Sequence, residues 1–243
     1  MPKKIVPISN PEKTKHEVWT KDRDLIDFPR PMRWCILGSV SCGKTSLILN
    51  YLINSHSFDN IFLLHPQTYD PNVDAEDEAK NKDIIVKSKD VDIPEYKGVK
   101  FIGLRYLPSM TYFDEVKNKY NLFIIDDIDL CSYLKKHREI RSERLNKIFS
   151  YVSSHKNVSI IVTSQDASSQ LPAMCLKMCN VNTIYKQKDE YVVQTLARKL
   201  SVSYKRLKKL LDLCKSNHDS ITFDEIANSP AELRLNIYDP ITE

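Results

Sequence analysis

Residues 38–45 read GSVSCGKT, between the short apolar run RWCILG (33–38) and the helix-like segment TSLILNYLINS (45–55). Two glycines followed by Lys and Thr at this spacing are typical of a phosphate-binding loop, in which the glycines permit a tight turn whose N–H groups converge on a phosphate. The helix that follows points its positive end at the same place. Two of the chain's four glycines stand in this motif. The sequence therefore predicts a nucleotide site formed by Gly38, Ser39, Val40, Ser41, Cys42, Gly43, Lys44, Thr45 and Ser46.

Three side chains of this loop have separate expected roles. Lys44 is expected to reach the β and γ phosphates, and the Thr45 hydroxyl is expected to bind Mg²⁺. ATP and Mg²⁺ are therefore the predicted cofactors. Cys42 lies among converging N–H groups and close to an ammonium group, so we expect some thiolate character and an alkylation that ATP blocks.

A second motif is the apolar run LFII (122–125), which is followed directly by Asp126 and Asp127. Four apolar residues and then an acid fit a buried central strand with carboxylates at its tip; the alternative is a strand that ends in a solvated turn. In ATPases with a phosphate-binding loop, an acid at this position holds Mg²⁺. We expect Asp126 to share the metal with Thr45, and Asp127 to polarise the attacking water.

The interval between the two motifs indicates the strand order. Lys44 and Asp126 are 82 positions apart (126 − 44), and two further strand candidates, 60–66 and 99–104, lie between them. Nucleoside kinases and GTPases place the metal-binding strand beside the strand of the phosphate-binding loop, whereas RecA-like ATPases insert another strand between the two. The run VSIIVTSQ (158–165) supplies that strand, and Gln165 at its end is expected to contact the γ-phosphate or the attacking water.

Apolar runs that alternate with helical patterns predict βαβ units. The expected fold class is α/β, a RecA-like P-loop ATPase core with a mostly parallel sheet, flanking helices and the ASCE-type order, in which an additional strand separates the two motif strands. Further predicted elements are helices at 110–121 and 142–155 and a strand at 180–186. We divide the chain into an N-terminal extension or arm (1–30) and one ATPase domain (31–243), of which 187–243 is the helical, basic C-terminal part.

Composition and charge narrow the functional classes. The net charge is only +4, but residues 70–95 hold nine acidic and four basic residues, whereas residues 186–215 hold nine basic and three acidic residues. The basic stretch predicts two helices joined at 201–203, and three interpretations stay open: a lid or packing element, a surface that contacts nucleic-acid phosphates, and a helix-turn-helix. The six cysteines lack metal-site spacing and are expected to be free thiols. No apolar run is long enough to cross a membrane, and the N-terminus has no signal-peptide pattern.

The segments GSVSCGKT (38–45), LFIIDD (122–127) and SSHKNVSIIVTSQD (153–166) together resemble the FtsK/HerA superfamily of DNA-pumping ATPases. The chain looks most like the compact viral branch, the genome-packaging ATPases of poxviruses, giant viruses and virophages, and the resemblance covers roughly residues 31–240. His155 matches a His of that branch, but Ser154 stands where an Arg is common.

The resemblance implies a motor that drives double-stranded DNA into a capsid. It also implies a homo-oligomeric ring, a pentamer or hexamer, docked on a capsid or portal-region protein, with no membrane partner. The expected location is the host-cell cytoplasm or a viral factory, and association with the virion is the alternative.

Family members usually need an arginine donated by a neighbouring subunit. The resemblance and the position between the two motif strands favour Arg141 or Arg144, in KKHREIRSER (135–144), as this catalytic arginine, with Arg138 and Arg105 as further candidates.

Two other functions remain open at this point. One is a nucleotide or small-molecule kinase, which the paired aspartates and the strand that ends at Gln165 disfavour. The other is a non-hydrolysing, ATP-gated assembly protein, which the full catalytic set disfavours.

Overall fold

A single mixed sheet runs through the computed structural model, which describes residues 28–55, 58–86, 93–117, 119–166, 170–225 and 232–241. Its nine strands follow the order β3–β2–β4–β5–β1–β6–β7–β8–β9. The strands are β1 (Arg33–Leu37), β2 (Asn60–Leu64), β3 (Ile102–Gly103), β4 (Asn121–Ile125), β5 (Val158–Ser164), β6 (Val181–Tyr185), β7 (Ser220–Asp224), β8 (Leu233–Leu235) and β9 (Asp239–Pro240).

The order of the parallel strands confirms the predicted fold class. β5 pairs with β1 on one side and with β4 on the other, so an additional strand separates the phosphate-loop strand from the aspartate strand. Every residue of β4 and β5 is buried, as expected for central parallel strands covered on both faces. The predicted strands 33–38, 121–127, 158–165 and 180–186 match the observed bounds within two residues at each end.

Helices cover both faces of the sheet. They are α1 (Lys44–Asn54), α2 (Ala75–Ala79), α3 (Leu130–Tyr133), α4 (Arg138–Lys147), α5 (Ser153–His155), α6 (Ala173–Met178), α7 (Glu190–Lys199) and α8 (Tyr204–Leu211), with 3₁₀ turns at Pro94–Tyr96 and Met110–Asp114. A π-helical turn, Ile148–Val152, joins α4 to α5, so the predicted helix 142–155 is part of a longer one. Alternate residues of β4 point to opposite faces of the sheet. Leu122 belongs to the hydrophobic core on the face covered by α1, and Phe123 belongs to the core on the face covered by α4.

One predicted helix is wrong. The segment 110–121 forms only the 3₁₀ turn Met110–Asp114 before the chain turns into β4. The Asn121 side chain explains the ending, because its Nδ2 donates to the carbonyls of Val116 (2.8 Å) and Lys119 (3.1 Å) and holds a turn that a continued helix would not allow.

The last three strands of the sheet are antiparallel, so the region 187–243, predicted to be helical, is helical only in its first part. β7 pairs with β6, β8 with β7, and β9 with β8, all antiparallel. Before them, the two predicted helices of the basic stretch are present as α7 and α8, and the Ser203 side chain caps α8 by accepting the Arg206 N–H. The apolar faces of both helices are buried, and Lys205, Lys208 and Lys209 are exposed.

The predicted arm, residues 1–30, lies outside the described residues except for its last three. Phe28 is fully buried, with its ring 5.2 Å from that of Trp34 and 6.0 Å from that of Tyr51. Among the described residues, the packed core therefore begins at Phe28. The division between arm and domain stays a prediction.

Candidate nucleotide site

Both glycines of the phosphate-binding loop (38–45) are required by its geometry. Gly43 has φ +108°, a conformation that side chains with a Cβ rarely adopt, and α1 starts at the next residue. A Cβ at Gly38 would come within 2.5 Å of Cys42 Sγ and 2.8 Å of Tyr185 Cβ. The loop therefore wraps closely around the end of β6, and its turn leads directly into the N-terminus of α1.

Lys44 is held at the centre of this loop. Its ammonium donates to the carbonyls of Gly38 (2.9 Å) and Ser39 (3.2 Å), and its Nζ lies 3.9 Å from Asp127 Oδ1. The side chain is only 6% exposed, so a positive charge is fixed where a phosphate chain would enter the loop. Its carboxylate neighbour, Asp127, is itself more open to solvent, with 29% of its side chain exposed.

Asp127 and Gln165 meet across the gap between β4 and β5. The Gln165 Nε2 donates to Asp127 Oδ2 at 2.9 Å, and the Asp127 N–H donates to Thr163 Oγ1 at 3.0 Å. Asp127 has φ 52°, in the left-handed region, which turns the chain sharply after the strand. Lys44, Asp127 and Gln165 are therefore brought together, as expected from the carboxyl ends of neighbouring parallel strands.

Asp126 lies deeper than its neighbour. The Thr163 hydroxyl donates to its Oδ1 at 2.6 Å, and the Tyr96 hydroxyl donates to its Oδ2 at 3.3 Å. Burial raises the pKa of Asp126, and the bond from Thr163 opposes that shift. Burial and the nearby carboxylate also raise the pKa of Tyr96, so its hydroxyl stays a donor. This hydroxyl network fixes one carboxylate rotamer beneath the site.

Most of the residues predicted for the nucleotide site line one cavity of about 610 Å³. From the sequence-predicted set, its lining includes Val40, Ser41, Cys42, Gly43, Lys44, Thr45, Ser46, Asp127 and Gln165. Gly38 and Ser39 instead support the loop through their carbonyls, and Asp126 is buried outside the lining. Seven further lining residues were not predicted: Leu47 and Asn50 on α1, Tyr185 at the end of β6, and His218, Ser220, Asn236 and Tyr238. The last four follow no motif spacing and meet the loop only because the antiparallel strands lie beside β6.

The residues present fit a bound Mg²⁺–nucleotide. The phosphate-binding loop takes its tight conformation only with glycine at both positions, because a Cβ would collide with Cys42 and Tyr185 at Gly38 and would be strained at Gly43. The Thr45 hydroxyl and the Asp126 carboxylate are oxygen ligands, which Mg²⁺ prefers. In the described part of the chain, no group of three or more His, Cys, Asp or Glu side chains forms an all-protein metal site.

The expected thiolate character of Cys42 is wrong in direction. Burial raises the pKa of this thiol, and the Lys44 ammonium and the loop N–H groups only partly oppose the rise. The Sγ packs against Gly38 inside the loop and is almost completely inaccessible. All six cysteines are free thiols, as predicted.

The expectation that Arg141 or Arg144 reaches a neighbouring subunit is contradicted by the structure. Arg141 Nη2 lies 2.7 Å from Glu78 Oε1, and Arg144 Nη1 lies 2.6 Å from Glu78 Oε2. Glu78 is fully buried, and Arg141 also donates to the Tyr133 carbonyl at 3.0 Å. We call Glu78, Tyr133, Arg141 and Arg144 the buried arginine cluster. These guanidiniums connect α4 to α2 within one chain, so they belong to the core of that chain.

The other residues singled out from the sequence lie on the surface. Arg105 pairs with Asp70 at 2.6 Å and is partly exposed, and Arg138 is exposed at the start of α4. His155 stacks on Tyr151, with ring centroids 4.5 Å apart, just before β5 begins. It therefore lies at the opposite end of that strand from Gln165. None of the helices in the described ranges combines the length and apolar character needed to cross a membrane.

Comparison with solved structures finds viral genome-packaging ATPases. The packaging NTPase of Sulfolobus turreted icosahedral virus 2, solved with sulfate, matches with a TM-score of 0.52 and 10% identity, over 87% of this chain and 98% of its own. The DNA-packaging ATPase of Sulfolobus turreted icosahedral virus matches with a TM-score of 0.52 and 14% identity, over 88% and 99%. The AMPPCP complex of the first protein matches with a TM-score of 0.50 and 12% identity, over 87% and 99%. No family model and no curated protein match the chain in sequence.

At these identities the likeness shows the fold. The predicted P-loop ATPase architecture and the resemblance to viral packaging ATPases are confirmed at that level. The match extends over almost the whole of each of these chains.

Proposed function

We propose that this chain is an ATPase that moves double-stranded DNA, most specifically a motor that packages viral DNA into a capsid. The observation that carries the proposal is the contact between Gln165 and Asp127 at 2.9 Å, with Lys44 3.9 Å from the same carboxylate. This contact depends on β5 lying between β1 and β4, a strand order that nucleoside kinases and GTPases do not share. The fold shared with viral packaging NTPases supports the DNA substrate.

In this proposal each residue acts on a different part of the reaction. Lys44 binds the β and γ phosphates and balances charge on them as the bond breaks. Asp127 accepts a proton from the attacking water or orients that water, and Gln165 holds the carboxylate in place. Thr45 and Asp126 hold Mg²⁺, which neutralises phosphate charge when it is bound.

The arginine that completes the site comes from a neighbouring subunit in a ring. Since Arg141 and Arg144 are buried, the surface residues Arg105 and Arg138 become the candidates. Shared sites make activity depend on assembly. The proposed partners are double-stranded DNA, further copies of the chain in a pentamer or hexamer, and a capsid or portal-region protein, in the host-cell cytoplasm or a viral factory.

The test is phosphate release from ATP with and without long double-stranded DNA, over a range of protein concentrations. The expected result is turnover that rises with DNA and faster than linearly with protein, and that disappears in Lys44→Ala. Turnover that is linear in protein and indifferent to DNA would contradict a ring motor. Tight ATP binding without turnover under all conditions would favour an ATP-gated assembly protein instead.

A further inference from the structure

The nucleotide cavity extends well beyond the phosphate-binding loop. Asp127 and Gln165 follow β4 and β5, on one side of β1, whereas β6, β7 and β8 lie on its other side. A triphosphate held in the loop with its γ-phosphate toward Asp127 must therefore direct its nucleoside toward the antiparallel strands. That half of the cavity is lined by Tyr185, His218, Ser220, Asn236 and Tyr238, and the catalytic residues do not use it.

Asn236 is held in one orientation at the end of β8. Its N–H donates to the Ser220 carbonyl at 2.6 Å, and its Oδ1 accepts the Ser220 N–H at 3.1 Å. The side-chain oxygen is thus occupied by the backbone, and the Nδ2 has no hydrogen-bond partner within the described residues. Since Asn236 lines the cavity, its two amide N–H donors are available to a ligand.

Tyr238 offers a flat apolar surface two residues further on. Its side chain is 50% exposed although it lines the cavity, and no aromatic ring of the described chain packs against it. An aromatic face at the mouth of a polar cavity is suited to stacking with a heterocyclic base, which is sequence-tolerant because every base has a π-face.

A direct contact connects this half of the cavity with the phosphate-binding loop. His218, in the segment before β7, has its Nδ1 3.0 Å from the Cys42 carbonyl oxygen. Tyr185 at the end of β6 packs under Gly38 from the same side. The two halves are therefore in a fixed relation before any ligand binds, which lowers the ordering cost of binding.

We propose that Asn236 and Tyr238 form a subsite for the nucleoside of a purine nucleoside triphosphate. The base stacks on the Tyr238 ring, and an acceptor nitrogen or oxygen of the base or ribose takes the Asn236 amide donor. A two-ring base covers more of the phenol than a one-ring base, so purines bind better than pyrimidines. ATP and GTP both carry acceptor atoms for the amide and bind with similar affinity. This inference rests on the proposed function, because it assumes that the phosphates occupy the loop.

The experiment compares binding of ATP, CTP and inorganic tripolyphosphate, each with Mg²⁺, by titration calorimetry. Tripolyphosphate probes the phosphate site without a nucleoside. Wild-type protein is expected to bind ATP at least about tenfold more tightly than tripolyphosphate or CTP. Tyr238→Ala should weaken ATP about tenfold and leave tripolyphosphate unchanged, whereas Tyr238→Phe, which keeps the ring, should behave as wild type.

Asn236→Asp tests the amide separately. The aspartate keeps an oxygen for the Ser220 N–H and tolerates the positive φ of this position (58°), but it removes the donor. We expect the ratio of the ATP affinity to the tripolyphosphate affinity to fall about fivefold. The ratio is used because the added negative charge repels the phosphates of both compounds, so this effect cancels. Tyr191→Ala is the control, since Tyr191 is 66% exposed on α7 and does not line the cavity.

The two hypotheses fail in different ways. Equal affinity of the wild-type protein for ATP and tripolyphosphate, or equal weakening of both by Tyr238→Ala, would overturn the nucleoside subsite and leave the phosphate site intact. If the wild-type protein binds neither compound, the proposed ATPase function itself is contradicted.

Discussion

The chain contains two clusters of oppositely charged side chains, the Lys44–Asp127 pair and the buried arginine cluster, which differ in their access to solvent. The Lys44–Asp127 pair is 3.9 Å apart and faces the nucleotide cavity, and its carboxylate is partly exposed. In the buried arginine cluster, Arg141 and Arg144 lie 2.7 and 2.6 Å from Glu78, and all three side chains are buried. The first pair is long and accessible enough for a phosphate and a water molecule to enter, whereas the second is closed.

The comparison shows two uses of charged side chains. The Lys44–Asp127 pair can bind a ligand, whereas the buried arginine cluster holds parts of the core together. A buried ion pair stabilises little by itself, but removal of one partner leaves an uncompensated charge and is strongly destabilising. A pair at a cavity costs little stability when it is broken, because solvent or ligand replaces the partner. Substitutions in the first pair should therefore change turnover, and substitutions in the buried arginine cluster should change stability.

The largest expected effect is on turnover in Lys44→Ala. Loss of the ammonium removes the charge that binds the phosphates, so ATP hydrolysis should fall by about 10³-fold or more, measured as phosphate release. The thermal unfolding midpoint should change little. Lys147→Ala, on the exposed surface of α4, is the control and should keep full activity. A large loss of stability in Lys44→Ala would remove the distinction between the two clusters.

The next largest effect is on stability in Glu78→Gln. This change leaves two buried guanidiniums without their carboxylate, so the free energy of unfolding should fall by about 3–5 kcal/mol, measured by urea denaturation. Glu76→Gln, an exposed position in the first turn of the same helix, should change it by less than about 0.5 kcal/mol. Equal effects of the two variants would show that the buried arginine cluster does not hold α2 to α4.

Asp127→Asn should separate ATP binding from hydrolysis. An asparagine keeps the oxygen that accepts from Gln165 Nε2 but cannot accept a proton, so hydrolysis should fall by about 10²–10³-fold while ATP affinity stays within about threefold. Single-turnover kinetics and equilibrium binding on the same preparation measure the two quantities. Normal hydrolysis in this variant would assign the proton acceptor to another group.

The smallest effect in this series is expected for Gln165→Ala. The amide positions the Asp127 carboxylate and does not itself take the proton, so turnover should fall by about 10–100-fold. Gln165→Glu should be at least as impaired, because a second carboxylate 2.9 Å from the first adds repulsion. Wild-type turnover in both variants would show that the contact is incidental.

The parallel half of the fold could be predicted because its signals are local. Each of three short patterns predicts a strand and the functional residues at its end. They are the glycine spacing at 38–43, the apolar run before Asp126 and the run that ends at Gln165. Once three such strands are parallel, their carboxyl ends must meet at one edge. No conformational detail was needed to bring Lys44, Asp127 and Gln165 together.

The buried arginine cluster and the antiparallel side of the cavity could not be predicted, because they depend on contacts between segments that are distant in the sequence. Glu78 belongs to the acidic stretch 70–95, and its partners Arg141 and Arg144 are 63 and 66 positions away. No local pattern indicates that these arginines pair with Glu78 inside the chain. Likewise, Asn236 and Tyr238 enter the cavity only because β8 pairs with β7 and β7 with β6, and no spacing in the sequence indicates that order.

The phosphate-binding loop and the last strands line one cavity, and this has a consequence for biosynthesis. Lys44 and Asn236 line one cavity, yet they are 192 positions apart in the chain (236 − 44). A ribosome that adds about 5–20 residues per second needs about 10–40 s to pass from one to the other. The strands on either side of β1, which are β5 and β6, are complete at residue 185, 51 positions before Asn236 (236 − 185). A nascent chain therefore contains all the strands around the phosphate-binding loop before it contains the residues that complete the nucleotide cavity.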